Sequence, residues 1–147
     1  MLYQVIIVVD TNIIFSGVLN PNGRISDLLL NSFQSFDFYA PTFILEELKK
    51  HRGKLLQISK LEEHELDFIQ GVIIKKVKLI DIENISSKIW EKSLNLVHDV
   101  DEFDAPFIAL SLQLKSPLWT GDKKLIRGLN KKGFNLVLDT KTISKMR

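Results

Sequence analysis

The chain has 147 residues, 45% hydrophobic and 26% charged, which suits a single soluble domain over residues 1–147 with a sizeable core. It contains no cysteine, so disulfides and thiolate metal sites are excluded and a cytoplasmic setting is expected. No apolar run approaches the ~18 residues of a membrane span, and no basic segment precedes the first apolar run, so neither a membrane segment nor a signal peptide is expected.

In chain order, Gln4–Val9 is a continuous apolar run of strand length, as expected for a strand buried on both faces. Thr11–Leu19 has the pattern of a short helix, stopped by Asn20-Pro21-Asn22-Gly23. Ile25–Phe33 is a second helical stretch and Phe36–Ala40 a second strand. Pro41-Thr42 opens a helix through Lys50, with Thr42 as its expected N-cap. Ser59–Lys76 has helical spacing, carried by Leu61, Leu66, Ile69, Val72 and Ile73, and Lys78–Asp81 is a short third strand. Ile85–Val97 and Glu102–Leu114 are two more helices, and Pro117–Thr120 a strand. Asp122–Lys131 is helical, Phe134–Leu138 is the last strand, and Thr140–Met146 a terminal helical turn or two. There is no repeat, linker or low-complexity tract.

Strands alternating with helices predict an α/β fold: three α/β/α layers around a mostly parallel sheet of four to five strands. In such sheets ligands bind beyond the carboxyl ends of the strands. Asp10 and Asp122 each follow a predicted strand immediately, so both fall where this fold builds its site.

Each acid also has a plainer role. Asp10 suits the N-cap of the helix that follows it, and Asp122, in TGDKKL, suits the same role one strand later. Thr120 offers a hydroxyl at the latter strand end. Asp101 and Asp104 lie in DEFDAPFIALSL, spaced to share one helical face, while Phe103, Phe107, Leu110 and Leu114 line another that is expected to be core. Pro106 fits only a first helical turn, which puts Asp104 in or just before that turn, where an acid is also favoured by the helix dipole. Of the adjacent Glu46 and Glu47, the second is the better site candidate. At ~100° per residue it borders the apolar stripe of Phe43, Ile44, Leu45 and Leu48, whereas Glu46 points away from it. His51, one turn on, is either solvated or a substrate contact.

Two unit charges ~5 Å apart repel by about 3 kcal/mol at an effective dielectric of ~20, so gathered carboxylates call for a proton or a cation. A hard divalent ion with oxygen ligands answers that need, and three histidines without cysteine disfavour zinc. Carboxylate-held Mg²⁺ or Mn²⁺ suits phosphoryl chemistry. The chain carries no Walker A loop, no G-x-G-x-x-G, no G-x-S-x-G and no thiol nucleophile. Basic residues accompany the acids. Lys49, Lys50, Arg52 and Lys54 follow Glu47, and Lys123, Lys124 and Arg127 follow Asp122, as backbone-phosphate contacts or as solvated faces. Although the net charge is only +2, acids withdrawn into one site would leave the remaining surface cationic.

Taken together, VVDTNIIFSGVL, APTFILEEL, DEFDAPFIALSL and PLWTGDKKL resemble the PIN-domain nucleases, in the family's order and over nearly the whole chain. The resemblance implies a parallel α/β/α fold and Mg²⁺- or Mn²⁺-dependent ribonuclease activity. It matches Asp10, Glu47, Asp104 and Asp122 to the family's acidic quartet, which holds the metal and carries the catalysis. Asp101 matches an accessory acid, and Asn12 and Thr120 match polar positions that orient the acids or the attacking water. Within the family the chain is similar to the compact prokaryotic group containing the VapC toxins, and it resembles the toxin-component branch of the PIN family more closely than typical VapC toxins, from which its longer Lys54–Lys76 segment sets it apart. That likeness implies an RNA substrate, a homodimer and a cognate antitoxin protein. The alternatives are a PIN nuclease of RNA processing and a PIN scaffold that binds RNA or protein without cutting. A haloacid-dehalogenase phosphatase needs a second Asp where Asn12 stands, and a receiver domain needs a mid-chain Asp after the second strand that is missing.

Overall fold

The computed structural model describes residues 4–147. The first apolar run forms β1 (Val5–Val9), in which Ile7, Val8 and Val9 are fully buried and only Val5, at the outer end, is exposed. Around it stand β2 (Phe36–Pro41), β3 (Val77–Ile80), β4 (Leu118–Trp119) and β5 (Val137–Leu138). They form one five-stranded sheet in the order β3-β2-β1-β4-β5 with every pairing parallel. The chain builds outward from β1 to β3 on one side and then returns to lay β4 and β5 on the other. The strand order therefore reverses between β1 and β4, and a crevice opens at such a point in parallel sheets.

Nine α-helices flank the sheet among the described residues: α1 (Thr11–Leu19), α2 (Arg24–Asn31), α3 (Phe43–Lys50), α4 (Arg52–Ser59), α5 (Glu63–Ile74), α6 (Ser87–Val97), α7 (Ala105–Leu114), α8 (Lys123–Lys131) and α9 (Thr140–Met146). The helices α2 to α5 gather around α1, while α7 lies on β1 and β2 with α6 packed outside it, giving the three expected layers. From Ala105 to Ser111 every residue of α7 is buried, which makes this helix the spine of its layer. Trp119 is fully buried, tilted against Phe38 at 5.9 Å between ring centroids, and its Nε1 donates to Thr140 Oγ1 at 3.0 Å. Leu28, Leu29, Ile44 and Leu48 join the core, whereas Phe33 and Leu45 of the same helical stretches are exposed.

The predicted elements are present with local differences, among them a last strand shortened from Phe134–Leu138 to Val137–Leu138 and an unpredicted 3₁₀ turn, Ile82–Asn84, before a helix that starts at Ser87. The stretch Ser59–Lys76 is not one helix. Lys60 ends α4 in the left-handed region at φ 59°, and α5 starts only at Glu63. Helix α4 has no counterpart among the predicted elements, because it buries only Leu55 and so writes almost no apolar stripe. Thr42 occupies the N-cap position of α3 but is already helical at φ −57° and ψ −23°, and its side chain caps nothing. The predicted Glu102–Leu114 helix divides into a 3₁₀ turn, Glu102–Asp104, and α7, with Pro106 in the first turn of α7.

Candidate metal centre

The crevice between β1 and β4 is built by backbone pairing before any side chain contributes. Val8 lies opposite Leu118 and Val9 opposite Trp119, and the Asp10 amide donates to the Trp119 carbonyl at 3.1 Å. Asp10 thus leaves the end of β1 with only 4% of its surface exposed. It occupies the N-cap position of α1, yet its carboxylate makes no capping bond. Instead Thr120 Oγ1 donates to Asp10 Oδ2 at 2.7 Å. The same hydroxyl accepts from the Asp122 amide at 3.1 Å, so Thr120 ties the ends of the two strands together. Asp122 does cap a helix: its Oδ1 accepts from the Leu125 amide at 3.1 Å at the start of α8.

The other two acids arrive from helices. Glu47 is half-buried on α3 and Glu46 is exposed, as their places around the helix require. Thr11 Oγ1 donates to Glu47 Oε1 at 2.7 Å, fixing the carboxylate toward the first turn of α1. Asp104 sits at the N-cap of α7, where the turn before Pro106 aims it inward, and its Oδ2 is buried without a hydrogen-bond partner. Asp101 is exposed and holds the turn before Asp104 by accepting from the Phe103 amide at 3.0 Å.

Asp10, Glu47 and Asp122 all lie close enough to Asp104 for their charges to act on it. Burial, followed by the charges of Asp10, Asp101, Asp122 and Glu47, pushes the Asp104 carboxyl up to about 8. Burial also raises Asp10, to about 6, helped by Glu47 and Asp122 and opposed by the hydrogen bonds from the Thr120 hydroxyl and the Thr11 amide. Without a cation, burial and mutual repulsion therefore favour a proton held within the cluster near neutral pH.

The donor set fits a hard divalent cation. The four side chains would offer such an ion carboxylate oxygens alone, and the partnerless Asp104 Oδ2 is a buried acceptor that a cation would satisfy. No three of these acids bring ligand atoms within 4.8 Å of one another; among the described residues only Glu62, His64 and Glu65 do so. That exposed trio is a helix cap, in which Glu65 Oε1 accepts from the Glu62 amide at 3.1 Å. The wider spacing of these acids would suit an ion that keeps part of its water shell, as Mg²⁺ does.

The remaining sequence candidates are placed unevenly. Asn12 is exposed and bonds none of the acids. His51 is half-buried, edge-on to Phe15 at 5.6 Å between ring centroids. Lys49, Lys50, Lys54, Lys123, Lys124 and Arg127 are exposed, but Arg52 is engaged in a two-pronged ion pair with Asp67. Phe103 corrects an expectation: it is not core but 63% exposed, because the 3₁₀ turn swings it away from the face that buries Phe107 and Leu110. Thr11, whose hydroxyl holds Glu47, is the residue beside these acids that the sequence candidates did not include. The available signal was a hydroxyl at the first position of the helix that follows Asp10.

A family model described as PIN domain matches residues 8–145. The chain is also similar to the crystal structure of PAE2754 from Pyrobaculum aerophilum, with a TM-score of 0.69 and 10% identity over 99% of this chain and 98% of that one. At that identity the likeness concerns the fold alone. No curated protein matches the sequence.

Proposed function

Since the chain belongs to the PIN domain family, whose members are generally metal-dependent nucleases, we propose that it is a Mg²⁺- or Mn²⁺-dependent endoribonuclease. The reading treats residues 1–147 as one PIN domain in which Asp10, Asp104 and Asp122 hold the metal and Glu47 completes the cluster. The observation that carries it is Asp104: a buried carboxylate oxygen with no partner, lifted to about 8 by burial and by the acids around it. A fold tolerates such an arrangement where a cation completes it.

The ion, when bound, supplies charge that offsets the scissile phosphate and makes water a better nucleophile. The chain supplies the rest. Glu47, held through Oε1 by Thr11, keeps its other oxygen to orient the attacking water and take its proton. Thr120 fixes the plane of Asp10 and, through the Asp122 amide, the spacing between these two acids. Lys49, Lys50, Lys123, Lys124 and Arg127 flank the acids and hold the neighbouring phosphates, contacts that position RNA without reading its sequence. Arg52 joins them only by leaving Asp67.

Incubation of purified protein with mixed RNAs tests this reading. Cleavage is expected with Mn²⁺ or Mg²⁺, and neither in excess EDTA nor in Asp104→Asn; full activity in either of those would overturn it. We further assign the protein to the toxin side of a toxin–antitoxin pair, acting in the cytoplasm as a homodimer. The compact PIN organisation supports this. Growth arrest on induction, relieved by a small protein encoded beside it, is the expected result. Induction without arrest points to an RNA-processing nuclease.

A further inference from the structure

Phe103 is the least expected exposed side chain near the acids. It sits in the 3₁₀ turn between Asp101 and Asp104, just before a helix whose first seven residues are all buried, yet 63% of its own surface is exposed. The turn is held in place, because Asp101 Oδ1 accepts from the Phe103 amide at 3.0 Å. Lys50 Nζ stands 5.4 Å from the ring centroid. Phe103, Lys50, Phe43, His51, Asp101 and Glu47 share one cleft of about 360 Å³, within the ~300–1,000 Å³ range of small-ligand pockets. An aromatic face, a cation and a member of the acid cluster thus lie along one continuous wall.

The charges beside the ring decide what it can receive. Asp101 and Glu102 flank it and repel a phosphate, so the group that fits against the ring is flat and uncharged. The phosphate attached to that group is drawn instead to Lys50, the cation that lines the cleft beside the ring. A base on an aromatic ring with its phosphate on a neighbouring cation is the pattern by which single strands are held.

We propose that Phe103, backed by Lys50, is a stacking platform for one unpaired base of the nucleic acid, beside the phosphate presented to the acids. The inference rests on the nuclease reading, and its test is independent of cleavage. Binding is measured in EDTA by fluorescence anisotropy, using a short single-stranded RNA and a set in which each nucleotide in turn is made abasic. At one position, loss of the base weakens binding to the native protein about tenfold. Phe103→Ala weakens binding to the intact RNA by a similar factor and is indifferent to the abasic change. Phe103→Leu behaves as Phe103→Ala, and Phe103→Trp restores the native pattern. Thermal melting confirms that the variants fold, as expected for an exposed side chain. Equal binding by native protein and Phe103→Ala, or rescue by Phe103→Leu, overturns the platform. Absence of metal-dependent cleavage in every variant, with the base-dependent binding intact, overturns the nuclease reading and leaves the platform standing.

Discussion

Replacing Asp10 by asparagine removes an ionisable group from the most enclosed position of the cluster, and its effect on stability follows from the structure. Asp10 is 4% exposed, and burial with the charges of Glu47 and Asp122 raises it from 3.8 to about 6. At pH 7 the group is ionised in both the folded and unfolded chains, but ionisation is harder in the folded one by about two pKa units. At about 1.4 kcal/mol per unit, this destabilises the metal-free fold by about 3 kcal/mol. The raised value sets the sign: the group's contribution is fully favourable below pH 3.8 and is lost as the pH climbs through 6. Asparagine carries no charge and retains an acceptor for the Thr120 hydroxyl, while burying its amide without an assured partner offsets about 1 kcal/mol. A net gain of about 2 kcal/mol corresponds to a melting temperature higher by about 4–8 °C. The assay is thermal melting followed by circular dichroism in EDTA at pH 7 and pH 4. Asp10→Asn should be the more stable protein at pH 7, with the difference shrinking to under about 1 kcal/mol at pH 4. Saturating Mn²⁺ should reverse the order, since the variant lacks a ligand. A variant no more stable than the native protein at pH 7 would refute the electrostatic account of the site.

Removing the Thr11 hydroxyl, as in Thr11→Val, frees Glu47 Oε1 from its 2.7 Å bond, and kcat for RNA cleavage should fall about tenfold with little change in melting temperature. Because Asp104 is raised to about 8 and a cation competes with its proton, Mn²⁺ affinity should rise with pH up to about 8. Calorimetry in buffers of different ionisation enthalpy should detect the released proton. Replacing Lys123, Lys124 and Arg127 together by glutamine should weaken RNA binding and lower the slope of log K against log salt by up to about 2, as read from titrations at several salt concentrations.

Much of this molecule was legible because a central parallel strand is apolar along its length and the helices beside it have defined ends. The run before Asp10, the breaker Asn20-Pro21-Asn22-Gly23 and the placement of Pro106 each mark a boundary found in the structure within a residue or two. Glu47 was separable from Glu46 because helical periodicity distinguishes an edge position from an outward one. What was not legible depends on tertiary contact or on a single backbone angle. The left-handed Lys60 splits a helical pattern that would otherwise continue, and nothing about a lysine announces it. Phe103 fits an apolar stripe only if the helix begins one turn earlier than it does. Thr11 meets Glu47 across 36 positions of sequence, and no local pattern predicts that encounter.

The bond from Thr120 to Asp10 joins residues 110 positions apart, through a strand only two residues long. Closing so large a loop is slow compared with pairing β1, β2 and β3, which can follow one another as the chain emerges. Strand β4 must instead come back past them and slot in beside β1, and only then does Asp10 meet Thr120 and Asp122. Assembly of the acid cluster is therefore a late event in the life of each molecule. A chain synthesised only as far as Leu114 already carries Asp10, Glu47 and Asp104, yet lacks the strand that closes the crevice beside Asp10.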